Sequence, residues 1–284
     1  MGREGGGTIR SPPRFYGKGC ESVSLQIIAP YAPLYCKPCP EAERDDEIWF
    51  GQGVEVLEEL EDGWLRVRTC YGYESYLEAR YIGEEPQGEP WMVLSPWADV
   101  LAAPKHQAQI LLTLPRGSRV RAWGEAKGWA RVALPGAGAG YIKQVHLGPL
   151  PQPKTLEESQ LRAKLVDGAL AYLDCPYRWG GRTPAGLDCS GLCHTAYLLQ
   201  GLPIYRNSRL APGYGVREIP REACQAGDLL YFPGHMAMYL GGDRFVHASA
   251  RAGKVCCGSL RDNAEGYWAD LAERLFCIGS VFPL

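Results

Sequence analysis

The chain has 284 residues, enough for two or more small domains, with 46% hydrophobic and 22% charged content, an ordinary balance for a folded protein. A formal net charge of −2 gives no basic surface for nucleic acid or an anionic membrane, and no apolar run approaches a membrane span. Eleven cysteines, an odd count, fit a reducing compartment better than an oxidising one.

Residues 1–19 are rich in Gly, Pro and Arg, lack the apolar core of a secretory signal, and are expected to be loosely ordered. With the cysteines, this points to the cytoplasm, or to a periplasmic or secreted address if the chain is trimmed. Cys36-Lys37-Pro38-Cys39 has no second Cys-x-x-Cys to complete a metal site, and Cys256-Cys257 are adjacent, so no metal is expected.

From about 20 to 150 the text reads as short strands punctuated by Gly, Pro and Asp. An internal repeat runs through it. Gly63-Trp64-Leu65-Arg66-Val67 recurs as Gly128-Trp129-Ala130-Arg131-Val132, and Tyr76-Leu77 to Tyr81-Ile82 recurs at the same offset as Tyr141-Ile142 to His146-Leu147. Two small all-β barrels, 20–86 and 87–148, account for this, with Trp64 and Trp129 as core aromatics.

Gly148-Pro149-Leu150-Pro151-Gln152-Pro153 predicts a stiff linker opening a third domain, 149–284. Residues 156–173 then place apolar side chains at 161, 165, 169, 170 and 173, the pattern of an amphipathic helix. Glycines keep 180–186 irregular before Asp188, a good N-cap, starts a second helix that Gly201 ends. Cys189 falls in its first turn, where unpaired N–H groups and the helix dipole favour a thiolate.

Downstream, two apolar runs flank Gly241-Gly242, a hairpin signature. A turn centred near Gly241 sets His235 and His247 opposite each other on one face. A cysteine nucleophile needs such a pair: one imidazole takes the thiol proton and the other orients the first. On this reading His235 is the base and His247 its partner. A His-paired cysteine at a helix start can fall to a pKa of roughly 3–4, which predicts a resting Cys189–His235 ion pair.

Asp188-Cys189-Ser190-Gly191-Leu192, with Pro176-Tyr177-x-Trp179-Gly180-Gly181 before it and Gly234-His235-x-Ala237-x-Tyr239-Leu240-Gly241 and Val246-His247-Ala248-Ser249 after it, resembles the NlpC-type cell-wall cysteine peptidases. The resemblance implies an α+β papain-like core over roughly 155–284, and the paired barrels look like bacterial SH3-like domains. It implies cleavage of peptidoglycan stem peptides or muropeptides between D-glutamate and a diamino acid by Cys189, His235 and His247, through a thioester, as a monomer without cofactor. It also assigns substrate contacts to Tyr177, Asp188, Ser190, Asn207 and Ser208, with Tyr73 as a contribution from a barrel. Where the family often has aspartate this chain has Asn207, whose amide cannot offer an ammonium a full charge. A wall amidase or acyltransferase with the same nucleophile, and a non-catalytic wall-binding module, are the alternatives.

Overall fold

The computed structural model describes residues 25–136 and 138–283, so the expectation for residues 1–19 lies outside the described residues. Seven antiparallel strands form the first all-β unit, in the spatial order Arg44–Trp49, Tyr31–Tyr35, Glu74–Glu78, Trp64–Thr69, Gly53–Glu59, Leu25–Ile27, Ile82–Glu84. The second follows the same order: Ile110–Pro115, Trp97–Leu101, Gly138–Lys143, Trp129–Leu134, Arg119–Ala126, Glu89–Val93, Leu147–Pro149. The repeated text therefore folds twice into one topology.

The turn before each tryptophan shows why the repeat is conspicuous. Asp62-Gly63 and Lys127-Gly128 each place two successive residues at positive φ, a tight hairpin turn that matches strand twist and tolerates glycine best at its second place. Trp64 and Trp129 are 7% and 6% exposed, but they are not the core aromatics expected: each alternates along its strand with core residues (Leu65 and Val67, Ala130 and Val132) and is covered on the opposite face, by Tyr35 and by His106. Each unit has its own apolar core, and Phe50 of the first unit is buried in the core of the second.

The helix expected over 156–173 spans Glu158–Leu170 (α1), opened by a capping box between Glu157 and Gln160. Leu161, Leu165 and Ala169 are buried as the periodicity requires, but Leu173 is exposed, because the chain has left the helix and Asp174 adopts φ 64. Helix α2 spans Cys189–Leu198 and is buried along its whole length. Ala196 packs against Gly168, where a Cβ would make an ordinary 3.6 Å contact with the Ala196 Cα, so the two helices are close neighbours there.

Both helices lie with one face of a six-stranded antiparallel sheet, ordered Arg217–Glu218, Cys277–Ser280, Leu229–Phe232, His235–Gly241, Arg244–Ser249, Lys254–Ser259. A short helix, α3 (Ala269–Arg274), packs with the other face through Leu271, Phe232 and Phe245. Trp49 and Tyr71 from the first unit and Met92 from the second belong to the same core as α1 and α2. No helix among the described residues is long and apolar enough to cross a membrane.

Candidate active site

Helix α2 starts where it does because the Asp188 carboxylate accepts the Gly191 N–H at 2.6 Å. The preceding loop fits tightly against that first turn: a Cβ on Gly191 would lie 2.2 Å from the Gly181 carbonyl oxygen. Gly180, at φ +66, leaves room for the backbone of Arg44 in the first β unit, whose oxygen would be 2.8 Å from a Cβ. These glycines let two backbones close on the helix that carries Cys189.

The Cys189 thiol is 8% exposed and receives the backbone N–H groups of Met236 and Ser190. Met236 follows His235, so the sulfur sits at the entrance of the strand His235–Gly241. Pro233-Gly234 makes that entrance, pairing Phe232 with His235 across a turn in which Gly234 takes φ +70.

The hairpin that brings the histidines together differs from the simple register. Its turn is Gly242-Asp243, both at positive φ, and a bulge at Leu240 shifts the pairing between Tyr239 and Gly241. Met238 faces Val246, so His247 falls across from Ala237 rather than from His235. The imidazoles are therefore diagonal neighbours on one face. They still meet, with His235 Nε2 2.8 Å from His247 Nδ1 and the rings at 77°. The edges of Phe245 and Trp268 enclose His247, whose Nε2 is buried without a partner.

That bond is compatible with a proton inventory that leaves a base at His235. Burial holds His235 down to about 4 and His247 down to about 3, so both are neutral at neutral pH. A proton on His247 Nε2 makes its Nδ1 the acceptor of the His235 Nε2–H, leaving His235 Nδ1 with the free lone pair. Burial also pushes the Cys189 thiol up to about 11, with the Asp188 charge adding to it and Arg206 opposing. The expected resting ion pair is thus replaced by a neutral thiol and a neutral imidazole. The helix-start effect is present, but removal of water outweighs it.

The same shifts set a stability window. Both folded pKa values lie below the ordinary 6.5, so the unfolded chain binds these protons first, and stability is lost as pH falls from about 6.5 toward the folded values. At about pH 5 each histidine is expected to have cost about 2 kcal/mol relative to neutral pH. Urea unfolding at the two pH values measures the difference, and the pH effect should shrink in a His247→Gln variant.

Around Cys189 the polar groups are heavily engaged. Arg206, 1% exposed, donates to both Asp188 oxygens at 3.1 and 2.8 Å and to the Ser190 hydroxyl at 2.8 Å. Ser190 in turn donates to Asp188 at 3.1 Å. Tyr177 is half-buried beside these groups, and burial, with the charges of Cys189 and Asp188, pushes its hydroxyl up to about 12. Asn207 donates its amide to the Tyr73 hydroxyl at 3.3 Å, which brings the barrel tyrosine to the same segment. Ser208 is half-buried next to Asn207.

Asp46, Glu47, Tyr71 and Arg182 went unread in the sequence. Asp46 and Glu47 are fully buried on the strand Arg44–Trp49. Asp46 accepts from the Arg206 Nε and the Tyr71 hydroxyl, and Glu47 accepts the Arg182 backbone N–H at 3.0 Å and pairs with Arg44 at 2.7 Å. Arg182, wholly buried, lies 4.4 Å and 4.7 Å over the rings of Trp49 and Tyr71. The available signal was the pair of acids inside an otherwise apolar strand, which a buried position permits only when paired.

Of the Cys36-Lys37-Pro38-Cys39 pair, Cys39 Sγ donates to Glu41 at 2.8 Å. A cavity of about 740 Å³ lies between the two β units, walled by Ile28, Phe50, Trp123 and Leu134, and contains none of the residues around Cys189.

Comparison with known proteins places the site in a lineage. The NlpC/P60 family profile matches residues 174–274, and the profile of the bacterial dipeptidyl-peptidase Sh3 domain matches residues 34–82, within the first β unit. Dipeptidyl-peptidase 6 of Lysinibacillus sphaericus is 40% identical over 267 residues, covering 90% of this chain and 98% of that one. The gamma-D-glutamyl-L-lysine dipeptidyl-peptidase of Bacillus cereus is 24% identical over 225 residues, 72% of this chain and 67% of its own. The crystal structure of an NlpC/P60 family protein from Bacillus cereus superposes with a TM-score of 0.73 at 21% identity, covering 92% of this chain and all of that one, a likeness of fold. On the strength of a relative that shares two residues in five along nearly its full length, this chain belongs to the NlpC/P60 family.

Proposed function

We propose that the protein is a cysteine endopeptidase acting on peptidoglycan stem peptides or muropeptides, at the bond between γ-D-glutamate and a diamino acid. The single observation that carries this reading is a thiol at a helix start beside a strand whose first residue, His235, is hydrogen-bonded to His247. The names of the two relatives, a dipeptidyl-peptidase and a gamma-D-glutamyl-L-lysine dipeptidyl-peptidase, support the choice of bond.

In the proposed cycle the Cys189 sulfur bonds to the carbonyl carbon as its proton passes to His235 Nδ1. Starting from a neutral pair, these two movements are coupled, because a bare thiolate in this dry site is costly. The Cys189 N–H, at the start of α2, stabilises the oxyanion. Protonated His235 then gives its proton to the departing amine, leaving a thioester that water hydrolyses with His235 as base. His247 holds the imidazole in one tautomer throughout. No step calls for a metal.

Tyr177, Asp188, Ser190, Asn207, Ser208 and Tyr73 are assigned to substrate recognition. Tyr73, Asn207 and Tyr177 have the most freedom for it, since Asp188 and Ser190 already serve Arg206. We also assign the second β unit to the SH3-like class, on the strength of its strand order, with domains at 20–86, 87–148 and 149–284.

The test is incubation with L-Ala-γ-D-Glu-diaminopimelate followed by mass spectrometry. L-Ala-D-Glu and free diaminopimelate are expected; a different product mass would move the assignment to an amidase or acyltransferase. The same peptide with its amino terminus acetylated reports what Asn207 does: comparable cleavage of both is expected if the amide does not select an ammonium.

A further inference from the structure

The buried charges at the base of the site form one chain that crosses from the first β unit to the nucleophile. Asp46 is wholly buried on the strand Arg44–Trp49, with one oxygen accepting the Tyr71 hydroxyl and the other accepting the Arg206 Nε. The far end of the Arg206 guanidinium grips both oxygens of Asp188 and the Ser190 hydroxyl. Asp188 caps the helix whose first residue is Cys189, and the Ser190 N–H reaches the sulfur. A planar guanidinium held at both edges has one orientation, so the carboxylate at one edge sets where the other edge lies.

The geometry points to Asp46 as a positioning residue for the nucleophile: a side chain of the β unit, acting through Arg206, fixes the cap of the helix that presents Cys189. The inference rests on Cys189 being the nucleophile. It makes the first β unit a part of the reaction apparatus, beyond any role in holding substrate.

Charge supplies a readout that packing alone would not move. The groups facing the Cys189 sulfur are Tyr177 from the loop, Asp188 and Cys193 from the helix and its cap, Arg206 from the following segment, and the Met236 N–H next to His235 from the strand. Among them Asp188 raises and Arg206 lowers the thiol, and Asp46 neutralises part of Arg206. Asp46→Asn keeps the shape and an acceptor but removes the charge, leaving Arg206 more strongly positive at the sulfur.

The experiment uses the full chain and follows iodoacetamide alkylation of Cys189 by peptide mapping as pH is varied, with circular dichroism as the control for folding. For Asp46→Asn the alkylation midpoint is expected to fall by on the order of one pH unit. In the same variant kcat should fall about tenfold with KM within about twofold, because the nucleophile is misplaced while the substrate contacts remain. Glu55→Gln, on an exposed ion pair of the same unit, should change neither. An Asp46→Asn alkylation profile that superimposes on the wild type overturns the proposal, whatever happens to kcat. If Asp46→Asn does not fold, Tyr71→Phe decides: a kcat reduced about threefold at unchanged KM supports the role, and wild-type kcat overturns it. Because alkylation needs no substrate, a shifted profile in a protein that cleaves no muropeptide would sink the peptidase reading and leave the positioning role standing.

Discussion

Cys189→Ala is expected to abolish cleavage of the stem peptide, with a fall in kcat of at least about 10⁴-fold, while the protein stays folded. The change removes one sulfur from a site that is already 8% exposed and leaves Asp188 and the helix cap intact, so unfolding in urea should move by about 1 kcal/mol or less. No neighbouring thiol can substitute. Cys193, one turn further along α2, is wholly buried in the core, and burial pushes its pKa well above the ordinary thiol range. His235→Ala should approach the same loss, since the thiol would have no acceptor for its proton. Release of L-Ala-D-Glu measured by mass spectrometry is the assay, and turnover by Cys189→Ala within about tenfold of the wild type would remove the nucleophile assignment.

Arg206→Met is expected to be the most destabilising single change near the site, by about 3–5 kcal/mol. Methionine fills much of the same space, but it leaves Asp46 and Asp188, 0% and 7% exposed, without the cation that both share. An exposed arginine makes the contrast. Arg68 pairs with Glu55 and Glu74 while its side chain is 42% exposed, and Arg68→Met should change stability by less than about 1 kcal/mol. Denaturant unfolding of the two variants measures the gap. Adding Asp46→Asn to Arg206→Met should recover part of the loss, because the two changes act on one buried pair.

The helix start that carries Cys189 was readable because its signals are local. An N-cap, a helix-start cysteine, tight glycines and a Gly-Gly hairpin occupy short windows, and each has a mechanical reason to be there. The histidine register was readable only to the face. The turn falls at Gly242-Asp243, beyond Gly241, which moves His247 from opposite His235, and the bulge at Leu240 shifts the pairing back by one residue so that the two rings share a face as diagonal neighbours; nothing in the alternation of side chains announces either. Proton affinities were less legible still, because the effect of a helix start is visible in sequence whereas the depth of burial around Cys189 is not. Most hidden was the charge chain itself. Asp46 and Arg206 stand 160 residues apart, and Glu47 meets the Arg182 backbone across 135, so their pairing depends on how one unit docks on another. The two β units, by contrast, declared themselves through the repeated Gly-Trp turn, which works the same way wherever it is placed.

The docking seam between the first β unit and the helices has a consequence for anyone who would exchange modules. A catalytic half transplanted onto a foreign carrier would bring Arg182 to a junction built without its carboxylate partner and would leave Arg206 with Asp188 alone, so at least one buried cation would be unpaired. A workable chimaera has to import the Asp46-Glu47 dipeptide together with the tyrosine that braces it, which makes the two halves a single unit of inheritance for engineering purposes.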